Sequence, residues 1–216
     1  MIRVAGGTCK GRRLKFIRTP AVRPMQDKLK GTLFNIIRDK VEGSWFLDGF
    51  AGTGSVGVEA LSRGAARAVF VDEYYPAIKV LKANVAVCGF EDAALVLHKE
   101  FNRAVIDLSK QGVAFDIVFL DPPYKLLETR NPLKVVRKRA ILKENGLLVI
   151  RHYFKIRLDA EGFLLRRTMK VGDDILSFYG LPALTKGPGS GEEGALRDEG
   201  RSRRMGAGDS GDDSNG

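Results

Sequence analysis

A glycine-rich segment that follows a short apolar run is the first place where this sequence could do chemistry. The segment reads Asp48-Gly49-Phe50-Ala51-Gly52-Thr53-Gly54-Ser55-Val56-Gly57, and Asp72 comes 18 residues after Gly54. Glycines let a backbone approach a ligand closely, and an acid at the tip of the next strand accepts hydrogen bonds from both ribose hydroxyls. The arrangement predicts a nucleotide-type site, although the glycine spacing alone fits a dinucleotide equally well.

Asp48 narrows the choice of ligand because it precedes the glycines at the predicted carboxyl end of a strand. A diphosphate bound there would meet a like charge, whereas a cationic ligand would meet an opposite one. S-adenosylmethionine carries a sulfonium, an ammonium and a ribose but no phosphate. We therefore expect this cofactor and disfavour a NAD-dependent oxidoreductase, for which the sequence also offers no evident hydride-transfer acid or base.

The segment Asp121-Pro122-Pro123-Tyr124 follows another apolar run and is the second candidate for chemistry. Two consecutive prolines stiffen the loop and offer no backbone donor, so the Asp121 carboxylate and the Pro122 carbonyl form a fixed pair of acceptors. Such acceptors suit an exocyclic amine, and Tyr124 adds a flat face on which an extruded base can stack. In a doubly wound sheet this motif should face the glycine loop across the switch-point crevice.

The carboxylate of Asp121 also bears on which base is the substrate. A carboxylate only accepts hydrogen bonds, whereas an amide both accepts and donates. Guanine presents N1–H and N2–H side by side as donors, while adenine presents an acceptor beside its amine and would pair better with an asparagine. Asp121 therefore favours transfer to the N2 amine of guanine.

Apolar runs alternate with helical stretches from Trp45 onward. The predicted strands are 45–47, 69–71, 95–97, 117–120 and 147–150, and the predicted helices are 55–63, 76–88, 101–111 and 132–143. Runs that are apolar at every position suit parallel strands buried on both faces. Two further strands, 164–170 and 175–179, close the sheet. The pattern predicts an α/β fold with a doubly wound, mostly parallel, Rossmann-like sheet.

Positive charge is concentrated at the amino end of the chain. The 216 residues carry a net charge of +10, and the first 25 hold seven cations and no acid. Short apolar alternation broken by glycines predicts a small basic β extension over residues 1–24. Such a patch suits a polyanion such as RNA, and its candidate contacts are Lys10, Arg12, Arg13 and Arg23.

The remaining chain divides into a predicted catalytic domain, residues 25–184, and a tail, residues 185–216. The domain opens with a predicted helix from Asp27 to near Gly43, whose outer face is expected to carry Lys28, Lys30, Arg38 and Lys40. The tail is rich in Gly, Ser and charged residues, cannot bury a core, and is predicted to be disordered.

Several classes of protein are excluded by composition. The two cysteines, Cys9 and Cys88, lack metal-ligand spacing, and with only two histidines they make neither a disulfide framework nor a zinc site. No apolar run approaches the roughly 20 residues of a membrane span, and no secretory signal is evident. We expect a cytoplasmic monomer without a metal.

Several segments together are specific to one family. They are Ile2-Arg3-Val4-Ala5-Gly6-Gly7, Lys10-Gly11-Arg12-Arg13-Leu14, Val22-Arg23-Pro24, Leu33-Phe34-Asn35-Ile36, Phe46-Leu47-Asp48-Gly49-Phe50-Ala51-Gly52-Thr53-Gly54, Glu59-Ala60-Leu61-Ser62-Arg63-Gly64-Ala65, Asp121-Pro122-Pro123-Tyr124 and Leu176-Ser177-Phe178-Tyr179. From Ile2 to about Pro182 the chain resembles the RsmD family of bacterial ribosomal RNA methyltransferases. It departs from the family pattern at Met25-Gln26, at His98-Lys99-Glu100, and at Arg151-His152, where an acid is common.

The resemblance implies a seven-stranded methyltransferase sheet, S-adenosylmethionine as methyl donor, and N2 of guanine 966 in 16S ribosomal RNA as the usual target. The substrate would be presented within an assembling small ribosomal subunit. The implied cofactor residues are Asp48, Gly52 and Gly54 at the methionine end, Asp72 at the ribose, and Glu100 and Phe101 near the adenine. Phe50, within the glycine loop, is a further predicted cofactor-binding residue. Asp121, Pro122, Pro123 and Tyr124 would hold the guanine.

Two other functions remain open from the residues alone. The strand-end motif serves exocyclic amines generally, so transfer to adenine N6 or cytosine N4 of DNA or another RNA is an alternative, although no separate DNA-recognition domain is evident. A catalytically silent RNA-binding assembly factor is the other. The intact glycine loop and Asp121 motif argue against it.

Overall fold

A computed structural model describes residues 2–17 and 25–182 of the chain. Arg23 and the predicted tail therefore lie outside the described residues. The division into residues 1–24, 25–184 and 185–216 stays a prediction.

The strands follow the predicted apolar runs closely. Their bounds are β1 Ile2–Arg3, β2 Arg13–Leu14, β3 Trp45–Gly49, β4 Arg67–Asp72, β5 Ala94–His98, β6 Phe115–Leu120, β7 Leu142–Tyr153, β8 Leu164–Val171 and β9 Asp174–Gly180. The helices are α1 Asp27–Ile36, α2 Arg38–Val41, α3 Ser55–Ser62, α4 Tyr75–Val87, α5 Phe101–Lys110, α6 Tyr124–Thr129 and α7 Pro132–Lys138. Within the described ranges, none of these helices is long and apolar enough to span a membrane.

Seven of these strands form the central sheet, in the order β5-β4-β3-β6-β7-β9-β8. The first five in this order run parallel, β9 is antiparallel to both of its neighbours, and β1 and β2 form a separate antiparallel hairpin. The strand order reverses between β3 and β6, so their carboxyl ends flank a crevice. The predicted doubly wound, mostly parallel α/β sheet is confirmed.

Alternate residues of the central strands belong to two hydrophobic cores, one on each face of the sheet. Phe46, Phe70 and Phe119 belong to the core that includes the hairpin, α1 and α3, whereas Leu47 and Leu120 belong to the core under α5 and α7. Burial on both faces explains why the runs in β3, β4 and β6 are apolar at every position. The same prediction was wrong for β5, which lies at the sheet edge and leaves Leu95 37% exposed.

The helix predicted over residues 132–143 is shorter than its pattern indicated. Asn131 caps it as expected, accepting a hydrogen bond from the Leu133 amide at 3.0 Å. The helix ends at Lys138, and Leu142 already belongs to β7, where it pairs with Phe115. Apolar residues at 141 and 142 fit a helix or a strand equally well; in the structure both are buried, Ile141 directly before β7 and Leu142 at its first position. Helix α6, directly after the two prolines, was not predicted.

Lys30 was predicted on the outer face of the first helix, and this was wrong. Its side chain is 0% exposed, its ammonium lies 3.2 Å from Oε2 of the equally buried Glu59, and it donates to the Arg3 carbonyl. Glu59 also accepts from the amides of Ala5 and Gly6. The Lys30–Glu59 pair therefore fastens the amino-terminal hairpin between α1 and α3. The predicted helix also breaks at Ile37 into α1 and α2.

Candidate active site

The glycine loop turns sharply from the end of β3 into α3. Gly54 caps α3 in the left-handed region with a φ of 79°, and a Cβ there would lie 2.8 Å from Leu81. A Cβ on Gly57 would lie 2.2 Å from the Phe70 ring, so only glycine lets α3 pack this closely on β4. Gly54 and Gly57 thus let the loop and the start of α3 pack against Leu81 and Phe70, on the side of the loop away from the cavity.

Asp48 is a buried acid at this edge of the sheet, and its pKa is strongly raised. It is 1% exposed, and its Oδ2 accepts a hydrogen bond from the Gly57 amide at 2.8 Å. Burial raises the pKa of Asp48 to about 8, with further contributions from the charges of Asp121 and Asp72, while the Gly57 hydrogen bond acts in the opposite direction. Among the described residues no cation forms an ion pair with it. A cationic ligand would therefore meet a buried carboxylate.

Asp72 ends β4 and holds the glycine loop in place. Its Oδ2 accepts from the Gly52 amide at 2.7 Å, and its Oδ1 accepts from the Tyr74 amide at 2.8 Å. A carboxylate oxygen can accept more than one hydrogen bond, so Asp72 keeps acceptor capacity for ribose hydroxyls while fixing the loop.

Glu100 and Phe101 lie where β5 leads into α5. The Glu100 side chain caps this helix by accepting from the Arg103 amide at 3.0 Å. Phe101 is buried and stacks on Phe50, with ring centroids 4.8 Å apart. Phe50 adopts a φ of 63°, a strained value for a residue with a side chain. The aromatic pair connects the glycine loop to the start of α5 and forms an apolar wall.

Asp121 follows β6 directly, so strand pairing places it beside the glycine loop. Its amide donates to the Gly49 carbonyl at 3.3 Å, and the predicted neighbourhood of the two motifs is confirmed. Pro122 is buried and Pro123 is exposed at the start of α6. Tyr124 begins that helix. Its stacking role stays a prediction.

Arg151 is a site residue that sequence reasoning did not assign. The residue is 1% exposed, and its guanidinium bridges two carboxylates, with Nη1 2.9 Å from Asp121 Oδ2 and Nη2 3.0 Å from Asp174 Oδ2. Burial opposes the charged guanidinium, but the two carboxylates outweigh it and raise the pKa of Arg151. The available signal was a cation placed directly after a buried apolar run, where it needs an acidic partner.

These elements enclose one cavity of about 580 Å³ at the carboxyl edge of the sheet. Nine of the predicted site residues line it: Asp48, Phe50, Gly52, Asp72, Glu100, Phe101, Asp121, Pro122 and Pro123. Met25 and Arg151, two departures from the RsmD pattern, line it as well. Among the described residues no group of three or more His, Cys, Asp or Glu could hold a metal ion.

The predicted RNA contacts of the extension lie apart from the cavity lining. Lys10, Arg12 and Arg13 are exposed in or beside the β1–β2 hairpin, whose turn donates backbone hydrogen bonds to Ser62 at the far end of α3. A second residue missed from the sequence, the buried Asn84, connects this extension to the site. Its carboxamide bonds both backbone groups of Lys15 and donates to the Thr53 carbonyl at 2.9 Å.

Comparisons with known proteins agree with this geometry. The family described as Conserved hypothetical protein 95 matches residues 2–180. The Bacillus subtilis protein YlbH is 36% identical over 157 residues, which are 73% of this chain and 85% of that protein. Ribosomal RNA small subunit methyltransferase D of Haemophilus influenzae is 34% identical over 154 residues, 69% of this chain and 77% of that protein. A solved protein from Thermus thermophilus, 28% identical, has a TM-score of 0.74 over 84% of this chain and 100% of that chain.

The strand order, the glycine loop and the cavity at the switch point are those of the Rossmann-like methyltransferases. The chain belongs to the family described as Conserved hypothetical protein 95, and its resemblance to the RsmD proteins is confirmed.

Proposed function

We propose that this protein transfers a methyl group from S-adenosylmethionine to the exocyclic N2 of a guanine in small-subunit ribosomal RNA. One observation carries the proposal: Asp48 and Asp121 line a single cavity from the ends of adjacent strands, one suited to a cation and the other to an amine. The relatives named ribosomal RNA small subunit methyltransferase D support the RNA class.

The cavity fits the cofactor in its charge and its walls. The buried Asp48 carboxylate lacks a cationic partner among the described residues and suits an ammonium or a sulfonium. Asp72 would accept the ribose hydroxyls, and the Phe50–Phe101 pair would pack against the adenine. S-adenosylmethionine, when bound, supplies an electrophilic methyl group on its sulfonium. Gly52 and Gly54 shape the loop at its methionine end.

Asp121 and Pro122 would position the substrate amine. The Asp121 carboxylate accepts hydrogen bonds from N1–H and N2–H of guanine, and the Pro122 carbonyl accepts the second N2 proton. Held by these two acceptors, the N2 lone pair would be directed at the methyl group that the bound cofactor would supply, and the electrons of the carbon–sulfur bond would remain on sulfur. Asp121 then receives a proton from N2. Catalysis here is mainly positioning, with Asp121 assisting proton loss.

The basic extension would bind the RNA backbone, through Lys10, Arg12, Arg13 and Arg23, and Pro123 and Tyr124 would contact the extruded base. Guanine 966 within an assembling small subunit is the target that the family resemblance favours, with the protein acting as a monomer.

The proposal is tested by incubating the protein with radiolabelled S-adenosylmethionine and small ribosomal subunits from cells that lack the endogenous guanine methyltransferase. We expect the label in N2-methylguanosine after digestion of the RNA. Naked small-subunit RNA, total RNA depleted of ribosomal RNA, and duplex DNA serve as parallel substrates. Label confined to adenine N6 or cytosine N4 would overturn the proposal. Cofactor binding without label in any substrate would favour an assembly role.

A further inference from the structure

The guanidinium of Arg151 ties the proposed amine acceptor to a strand that takes no part in cofactor binding. In the sheet Leu120 pairs with Ile150, so Arg151 is one step beyond this pair, beside Asp121. On its other side, β9 runs antiparallel and begins at Asp174. The guanidinium therefore spans carboxylates from both neighbouring strands, at 2.9 and 3.0 Å.

Only the two terminal nitrogens of Arg151 take part in these contacts. Its Nε is buried and has no hydrogen-bond partner among the described residues. The two carboxylates hold the buried guanidinium, and it restricts them in return, because a planar group that is hydrogen-bonded at both terminal nitrogens has little rotational freedom. Asp121 is therefore anchored through its Oδ2 atom.

We propose that Arg151 is a positioning residue for methyl transfer, fixing the orientation of the Asp121 carboxylate and balancing its negative charge. This inference rests on the proposed function. It assigns a role to a residue at which the chain departs from the RsmD pattern.

Charge balance matters because the cavity is rich in acids. Asp48 faces Asp121 from the neighbouring strand and the two repel each other. The other charged or titratable groups near them are Asp72, Glu73 and Tyr74 at the end of β4, Lys99 and Glu100 before α5, and Asp174 in β9. His152 points elsewhere, and its Nε2 lies 2.9 Å from Ser177 Oγ. Arg151→Gln would remove a positive charge 2.9 Å from Asp121 Oδ2, and loss of an opposite charge at this distance favours the protonated form of a carboxyl group.

The test compares Arg151→Gln and Arg151→Lys with the unaltered protein on small ribosomal subunits, with kcat, KM and pH profiles measured. We expect Arg151→Gln to lower kcat on the order of 10²-fold near neutral pH, as expected for a misplaced catalytic group, with little change in cofactor KM. The acidic limb of the kcat profile should move to higher pH. Arg151→Lys should recover part of the loss, because an ammonium restores the charge but not the fork.

The matched control is Lys30→Gln, which removes another fully buried cation from an ion pair outside the cavity. It should lower the Tm but leave the acidic limb of the kcat profile in place. Asp174→Asn keeps the contact of Arg151 with Asp121 and should reduce kcat less than Arg151→Gln does. If Arg151→Gln does not fold, Arg151→Lys and Asp174→Asn supply the comparison.

The inference is overturned if folded Arg151 variants keep the wild-type kcat, or lose the same factor at every pH. It is also overturned if Lys30→Gln shifts the acidic limb equally. These results differ from a failure of the proposed function, in which the unaltered protein itself would put no label into N2-methylguanosine.

Discussion

Asp48 and Asp121 lie at the carboxyl ends of adjacent parallel strands, and each one's negative charge disfavours ionisation of the other. Burial is the larger reason that the pKa of Asp48 rises to about 8, and Asp121 adds to it. Two like charges in one cavity cost stability unless a ligand compensates for them. The pair thus connects the stability of the protein to what binds there.

Asp48→Asn should stabilise the protein. The folded pKa, about 8, lies above the value of 3.8 for an unperturbed Asp, so the folded state binds more protons between these values and stability falls as pH rises through this range. Asparagine removes this loss, and we expect the Tm at pH 8 to rise by about 2 °C or more. The gain should shrink towards pH 4 in thermal unfolding followed by circular dichroism.

Asp116→Asn is the matched control, because the pKa of Asp116 is shifted in the opposite direction to that of Asp48. Burial acts to raise the pKa of Asp116, but Lys143 and the Trp45 amide outweigh it, so the pKa is lowered. Its ionised form therefore stabilises the fold above the unfolded pKa, and this stability is lost as pH falls. The substitution should lower the Tm at neutral pH. A fall in Tm for both variants would contradict the assignment of Asp48.

Cofactor affinity should depend on pH through the same carboxylate. A cationic ligand needs ionised Asp48, which is mostly protonated in the free protein below its pKa of about 8. Calorimetry between pH 5.5 and 7.5 should show the Kd for S-adenosylmethionine falling by about tenfold per pH unit. Asp48→Asn should bind weakly at every pH in this range. A wild-type Kd that is flat with pH would contradict this role.

Asp121→Ala should separate cofactor binding from catalysis. Removing the acceptor is expected to lower methyl transfer on the order of 10²- to 10⁴-fold while the Kd for S-adenosylmethionine changes only a few-fold. Label incorporation and calorimetry measure the two effects. Asp159→Ala, which removes an exposed carboxylate paired with Lys134, is the control and should keep wild-type turnover. Unchanged turnover in Asp121→Ala would remove this residue from the mechanism.

The basic extension should determine how RNA binding responds to salt. Each phosphate contact contributes about 0.7 to 0.9 log units of affinity per log unit of salt. Replacing Lys10, Arg12 and Arg13 with glutamine should reduce the slope by about 2 to 3 units if all three contact phosphates. The same exchange at Arg166, Arg167 and Lys170, exposed on β8, changes the net charge equally. A larger loss of slope in the β8 variant would place the RNA on that strand.

Much of the fold was predictable because an apolar run indicates a buried strand, and the central strands coincide with such runs. Asp48 and Asp121 were both predicted at strand ends, and therefore at the carboxyl edge of the sheet. The hydrogen bond from the Asp121 amide to the Gly49 carbonyl agrees with this prediction. The edge position of β5 was not predictable, since Leu95 sits in a run as apolar as those at the centre of the sheet. Sheet order depends on contacts between distant segments that no local pattern records.

Buried charges were the main failure of sequence reasoning. Helical periodicity and its positive charge both predict that Lys30 is exposed to solvent. In the structure it is buried, because it forms an ion pair with Glu59 of another helix. Arg151 likewise depends on Asp121 and Asp174, which are 30 and 23 residues away along the chain. A charge is buried only where a partner is present, and the partner is known only once the chain has folded.

The contacts of the amino-terminal hairpin also constrain the order of events during synthesis. Ala5 and Gly6 bond Glu59, more than fifty residues later, and Lys15 bonds Asn84, 69 residues later. Because a ribosome makes the chain from its amino end, the hairpin is synthesised before α3 and α4 and cannot form these contacts until both helices have been made. The hairpin is therefore made before the two helices on which it docks and reaches its native position only after them.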